Sequence, residues 1–118
     1  MKILVVDDSE VFRKILTELF ARAGFHEILE ASDYDEAIEV FKASKPKFTF
    51  VDMILPGRSG VELTKELLSI DGSAVVIAMS SIINKKMIQR SLEAGAKDFL
   101  LKPTNEIALN SVLTMWSD

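Results

Sequence analysis

Apolar positions fall into two kinds of segment that alternate along the chain. Ile3 to Val6 form a short apolar run rich in β-branched residues, and it ends in acid at Asp7-Asp8. Behind it, Val11, Phe12, Ile15, Leu16, Leu19 and Phe20 recur at helical spacing. Ser9 is placed to cap that helix and Gly24 to end it in a left-handed turn. The alternation then repeats. Further strands are predicted over 27–31, over 48–51 ending at Asp52, over 74–79 ending at Ser80-Ser81, and over 99–101 ending at Lys102-Pro103. A second helix, capped by Asp33 and closed by Pro46, carries Ala37, Ile38, Val40 and Phe41. Pro56, Gly57 and Gly60 read as a loop, and Val61, Leu63, Leu67 and Leu68 mark the third helix. Met87, Ile88, Leu92 and Ala94 mark the fourth, with Ser81 as a candidate cap and Gly95 as its stop. The fifth runs over about 105–115.

The pattern is (βα)₅. Strands apolar on both faces must be covered on both faces, which predicts a parallel sheet with helices on each side. Ligands in such sheets bind beyond the carboxyl ends of the strands. Asp7-Asp8, Asp52, Ser80-Ser81 and Lys102 fall at four of those ends. Only the second strand lacks a reactive group, since Ser32 and Asp33 read as a cap. Three clustered carboxylates repel one another and resist ionisation unless a cation neutralises them. Mg²⁺ suits the task, because it takes oxygen ligands and commonly pairs one or two carboxylates with a phosphate. Lys102 can hold a carboxylate or a phosphate oxygen as a point charge. A carboxylate at the centre of the group can itself be a phosphoryl-accepting nucleophile.

Composition narrows the classes. The 118 residues fit one compact domain, and 48% hydrophobic content suffices for a two-sided core. A formal net charge of −4 with no run of Lys and Arg gives no broad reason to bind nucleic acid. The absence of cysteine excludes disulfides, thiolate catalysis and zinc–sulfur sites. No apolar run approaches the roughly 20 residues that span a bilayer, and the N-terminus reaches Asp7-Asp8 too soon for a secretory leader. A soluble cytoplasmic domain without membrane contact is expected.

Four motifs together carry a resemblance over essentially the whole chain. They are Val6-Asp7-Asp8, Asp52-Met53-Ile54-Leu55-Pro56-Gly57-Arg58-Ser59-Gly60, Val76-Ile77-Ala78-Met79-Ser80-Ser81 and Gly95-Ala96-Lys97-Asp98-Phe99-Leu100-Leu101-Lys102-Pro103. In this order and spacing the chain resembles the response-regulator receiver family of two-component signalling. The resemblance implies a single receiver domain over residues 1–118, with the flavodoxin-like strand order 2-1-3-4-5. It implies Asp52 as phosphoacceptor, and Asp8, Asp52 and the Ile54 backbone carbonyl as ligands of Mg²⁺, or Mn²⁺ in its place. Asp7 would hold a metal-bound water, and Lys102 would pair with Asp52 and then with the phosphoryl group. Ser80 takes the switch hydroxyl position and Phe99 the switch aromatic position, and the Lys102-Pro103 peptide is expected cis. The implied partners are a sensor histidine kinase or phosphotransfer protein, and a downstream protein or attached effector domain. The implied role is a signalling switch, monomeric or weakly dimeric, whose only catalysis is its own phosphorylation and slow dephosphorylation.

The chain departs from many relatives at three places. Phe99 is not Tyr, Thr104 replaces Phe after Lys102-Pro103, and Ile54 and Ile82 replace polar groups that help an attacking water. In the last helix Leu109, Leu113 and Trp116 recur at i, i+4 and i+7, and matching to the family turns them inward. The same matching leaves Val112 and Met115 outward, with Ile88 outward on the neighbouring helix and Phe99 between them, as a candidate output surface. A charged dimer there is disfavoured, since before Asp118 that helix carries only Glu106.

Other readings compete with these. Paired aspartates alone are more often loop or cap residues, Lys102-Pro103 alone is simple punctuation, and His26 is a surface residue with no second ligand beside it. Met53, Met79 and Met87 read as packing residues. A haloacid-dehalogenase-type hydrolase needs Asp-x-Asp after the first strand and a larger chain. A flavodoxin-like nucleotide binder needs a phosphate-cradling loop there, where Asp7-Asp8 would repel phosphate. A pseudo-receiver acting as a binding module lacks an Asp or the Lys, and here all are present.

Overall fold

The computed structural model describes residues 1–117, so Asp118 lies outside the described residues. Its elements are β1 (Lys2–Val6), α1 (Glu10–Arg22), β2 (Glu27–Ala31), α2 (Tyr34–Ser44), β3 (Phe48–Asp52), α3 (Gly60–Ile70), β4 (Val75–Ser80), α4 (Lys85–Glu93), β5 (Asp98–Leu101) and α5 (Glu106–Met115). The five strands form one parallel sheet in the order β2-β1-β3-β4-β5, as the resemblance implies.

Strand alternation divides the core. Ile3 and Val5 face one side with Phe48 and Phe50, where α1 and α5 cover them through Phe12, Leu16, Phe20, Leu109 and Leu113. Leu4 and Val6 face the other side, under Tyr34, Ala37 and Phe41 of α2 and Leu63 and Leu67 of α3. Period-two burial on both faces explains why the strand runs show no polar alternation.

Most helix starts follow the sequence. Ser9, Asp33 and Asn105 cap α1, α2 and α5 by accepting backbone N–H groups of Phe12, Glu36 and Ala108. Two expectations fail here. Ser81 does not cap α4, because Ile82 and Ile83 intervene as exposed loop residues and Asn84 accepts the Lys86 and Met87 N–H groups. Gly60 is not loop but the first residue of α3, capped by Ser59.

A third expectation fails on α5. Val112 is buried at 5% exposure, whereas Met115 is exposed at 66%. The reason is helical spacing. Positions i, i+3, i+4 and i+7 share one face, so Val112 belongs to the stripe of Leu109, Leu113 and Trp116. Trp116 is half-buried against that core and donates its indole N–H to Asp98 at 3.3 Å.

The second core seam contains the chain's single tyrosine. Tyr34 donates its hydroxyl to Glu66 at 2.7 Å, tying α2 to α3. Arg58 stacks 3.7 Å from the ring centroid. Burial, and then the Glu66 carboxylate, push the phenol up from 10.0 to about 12. The folded chain thus holds this proton more tightly than the unfolded one. The stabilisation is fully present below pH 10 and is lost as pH rises toward 12. Ultraviolet titration of the folded protein should therefore show tyrosinate near pH 12, and Glu66→Gln should lower the midpoint only part of the way, because burial is the larger cause. A wild-type midpoint near 10 contradicts this packing.

Candidate functional site

Because β1 and β3 are neighbours, with Val6 opposite Val51, the residues that follow leave the sheet side by side. These are Asp7 and Asp52. Asp7 is 0% exposed, Asp52 is 6% exposed and Asp8 is exposed. One carboxylate oxygen from each of the three lies within 4.8 Å of the others. Lys102 arrives from the end of β5 and donates to Asp7 at 2.6 Å and to Asp52 at 3.1 Å. The resemblance implies a pairing with Asp52; the shorter contact is to Asp7.

Backbone donors hold the two buried carboxylates in place. Asp7 Oδ1 accepts the Ser9 N–H at 2.8 Å, and Asp52 Oδ1 accepts the Ile54 N–H at 3.0 Å. Burial nevertheless raises the Asp52 carboxyl above the usual range, with the Asp7 charge adding to it, against the Ile54 and Lys102 hydrogen bonds. For Lys102, burial pulls the ammonium down, but the hydrogen bonds to Asp7 and Asp52 outweigh it and leave the pKa raised. The acids hold the cation charged, and the cation only partly offsets the burial of Asp52.

The loop after β3 packs tightly beneath Asp52. A Cβ on Gly60 would meet the Asp52 carbonyl oxygen at 2.4 Å, so no side chain fits at the start of α3. Ser80 is fully buried at the end of β4, and its hydroxyl oxygen accepts the Ile82 N–H at 3.1 Å. Its carbonyl accepts the Lys102 N–H at 2.8 Å. The Lys102-Pro103 peptide is cis.

Comparison with known proteins fits this geometry. Residues 3–114 match the family described as the response regulator receiver domain. The chain belongs to that family. It is 34% identical over 102 residues to the chemotaxis protein CheY of Thermotoga maritima, covering 86% of this chain and 85% of that protein. It is 34% identical over 102 residues to the sporulation initiation phosphotransferase F of Bacillus subtilis, covering 86% of this chain and 82% of that one. Among solved structures, a two-component response regulator from Clostridium difficile superposes with a TM-score of 0.93 at 25% identity, covering 99% of this chain and 95% of that chain. A Burkholderia pseudomallei response regulator with a phosphorylated aspartic acid, calcium ion and citrate superposes at 0.88 with 29% identity, covering 98% of this chain and 68% of that chain.

Receiver domains are phosphorylation-dependent switches of two-component signalling, and they bind a divalent metal at an acidic pocket. The donor set of this receiver domain fits a hard cation. It is all oxygen, and Asp8 has no hydrogen-bond or ion-pair partner among the described residues. No helix among the described residues is long and apolar enough to cross a membrane.

Two neighbours of the site carry no motif in the sequence. The Lys102 ammonium lies 4.2 Å from the Phe12 ring centroid, which supports the cation from below. Arg13 donates to the Asp7 carbonyl at 2.6 Å and pairs with Glu30 at 2.9 Å. Both come from the first turn of α1. The available signal is the Ser9 cap, since it fixes which residues of that turn lie over the strand end. Phe99 is half-buried, packed against the α2–α3 side of the core. Ile88 is half-buried and His26 is exposed.

Proposed function

We propose that this receiver domain takes a phosphoryl group from a phosphohistidine of a sensor kinase or phosphotransfer protein onto Asp52. A carboxylate oxygen of Asp52 forms the P–O bond as the donor's P–N bond breaks, and the imidazole leaves. The observation that carries this reading is the pair of contacts on Asp52. One oxygen is fixed by the Ile54 N–H and the other by the Lys102 ammonium, so the nucleophile is positioned beside a cation. Lys102 stays close to the incoming charge throughout.

Asp8, Asp52 and the Ile54 carbonyl are the proposed ligands of Mg²⁺, with Asp7 holding a bound water. When present, the ion supplies positive charge against the phosphoryl oxygens. The Burkholderia relative, whose structure carries a phosphorylated aspartate and a calcium ion, supports both assignments. Ser80 is the proposed hydroxyl donor to the phosphoryl group and Phe99 the aromatic that follows it. The phosphoryl group shifts two existing states by its differential contacts alone.

The proposed output face runs over α4, β5 and α5 through Ile88, Phe99 and Met115. Val112, being buried, has no part in it. Ile107, 82% exposed near the start of α5, joins Met115 instead.

Incubation with acetyl phosphate and Mg²⁺ should add one phosphoryl group by intact mass, and Asp52→Asn should abolish the addition. The same modification in both proteins refutes the assignment. Ile54 and Ile82, 48% and 50% exposed beside the site, offer no group to orient a hydrolytic water. The acyl phosphate should therefore be long-lived, and Ile54→Asn should shorten its life on the order of tenfold, below the full effect of a general base. An unchanged lifetime in that variant contradicts the role given to Ile54.

A further inference from the structure

The seam between α3 and α4 opens into a cavity of about 330 Å³. Three of its lining residues are apolar: Met53 just after β3, Val61 in the first turn of α3, and Met87 in the first turn of α4. Lys86 and Arg90, one helical turn apart on α4, also line it.

These cations are uncommitted. Among the described residues, none of Lys85, Lys86 and Arg90 lies within ion-pair distance of a carboxylate. The single acid of α4, Glu93, accepts from Gln89 at 2.9 Å. On the α3 side, Glu62 is engaged by Arg58 at 3.6 Å. The helix thus carries three cations and one anion, 3 − 1 = +2, in a chain of net charge −4. Lys85 and Lys86 sit in its first turn, where the helix dipole already places positive charge and no acid offsets it. A local positive excess beside an apolar hollow, in an otherwise acidic protein, selects a ligand that is both acidic and apolar.

We propose that this seam is a docking groove for an acidic peptide segment of a partner protein. The segment sets an apolar side chain on Met53, Val61 and Met87 and carboxylates against Lys86 and Arg90. The volume, at the small end of ligand-pocket sizes, accommodates a side-chain anchor rather than a whole helix face. The two methionines adapt to more than one anchor shape. The groove shares no lining residue with the α5 surface around Ile107 and Met115.

The test is fluorescence anisotropy with a labelled peptide of about twelve residues, carrying one leucine anchor among glutamates. A glutamine version of the same peptide is the neutral control. The glutamate peptide should bind the 118-residue chain saturably, and the control should bind more weakly. The double variant Lys86→Glu/Arg90→Glu should lose about tenfold in affinity, and Met115→Asp should lose nothing. Both variants alter exposed positions, and circular dichroism checks their folding. Equal binding of the two peptides overturns the proposal, as does an unchanged affinity in the double variant. Self-association of the unliganded chain that the double variant abolishes would assign the groove to a second copy, and it too overturns the peptide reading.

Discussion

Lys102 lies within hydrogen-bond reach of two carboxylates at a rim that carries three. One ammonium against three carboxylates leaves 1 − 3 = −2. The Arg13 guanidinium nearby is already paired with Glu30 and touches only the Asp7 carbonyl. Asp7 has no access to solvent, and its two carboxylate oxygens are met by that ammonium and by the Ser9 N–H. Breaking a buried pair of this kind by removing one partner typically costs about 3–5 kcal/mol. The site is therefore short of positive charge, and that shortage is what a divalent metal ion would answer.

The fold exists around this arrangement in a specific way. The order β2-β1-β3-β4-β5 makes Asp7 and Asp52 neighbours and sets Lys102 two strands from Asp52, across β4. Adjacent strands lie roughly 4.8 Å apart, so a β5 residue must bridge about twice that distance. A lysine, with its long flexible stem, can do so, and the Phe12 ring supports it on the way. The two-sided core holds the strand ends rigid, and the absence of a side chain at Gly60 lets α3 begin directly against the Asp52 carbonyl. Packing energy and site chemistry thus meet at the same residues.

Much of this was legible in the sequence, because apolar runs ending in Asp52, Ser80 or Lys102 name both a strand and the residue at its functional end. The caps at Ser9 and Asp33 were equally direct, since each residue type satisfies a known backbone group. Strand order was not; the periodicity only limits it, and the resemblance supplied it. Val112 is misplaced when the i+3 position is left out of the inward stripe. The α4 cap is misplaced because serines at a strand end invite a cap reading, while Asn84 lies beyond two apolar residues. For Phe12 and Arg13 the Ser9 cap marks the turn of α1 that lies over the strand end, but their contacts with Lys102 and the Asp7 carbonyl form only when α1 packs on the sheet. The same holds for Tyr34 and Glu66, which are 32 residues apart and meet only when α2 and α3 pack.

The central claim is that the rim of the sheet is an under-neutralised oxygen site. Thermal unfolding with and without millimolar Mg²⁺, in wild type and in Asp8→Ala, tests it most directly. Ligand linkage stabilises the folded state by roughly 2.7 kcal/mol when the ion stands at about 100 times its Kd. The wild-type melting temperature should rise with Mg²⁺. Asp8→Ala, relieved of one repelling charge, should be at least as stable as wild type without the ion and should respond less to it. A wild type indifferent to Mg²⁺, or an Asp8→Ala variant that responds as strongly as wild type, would contradict the account.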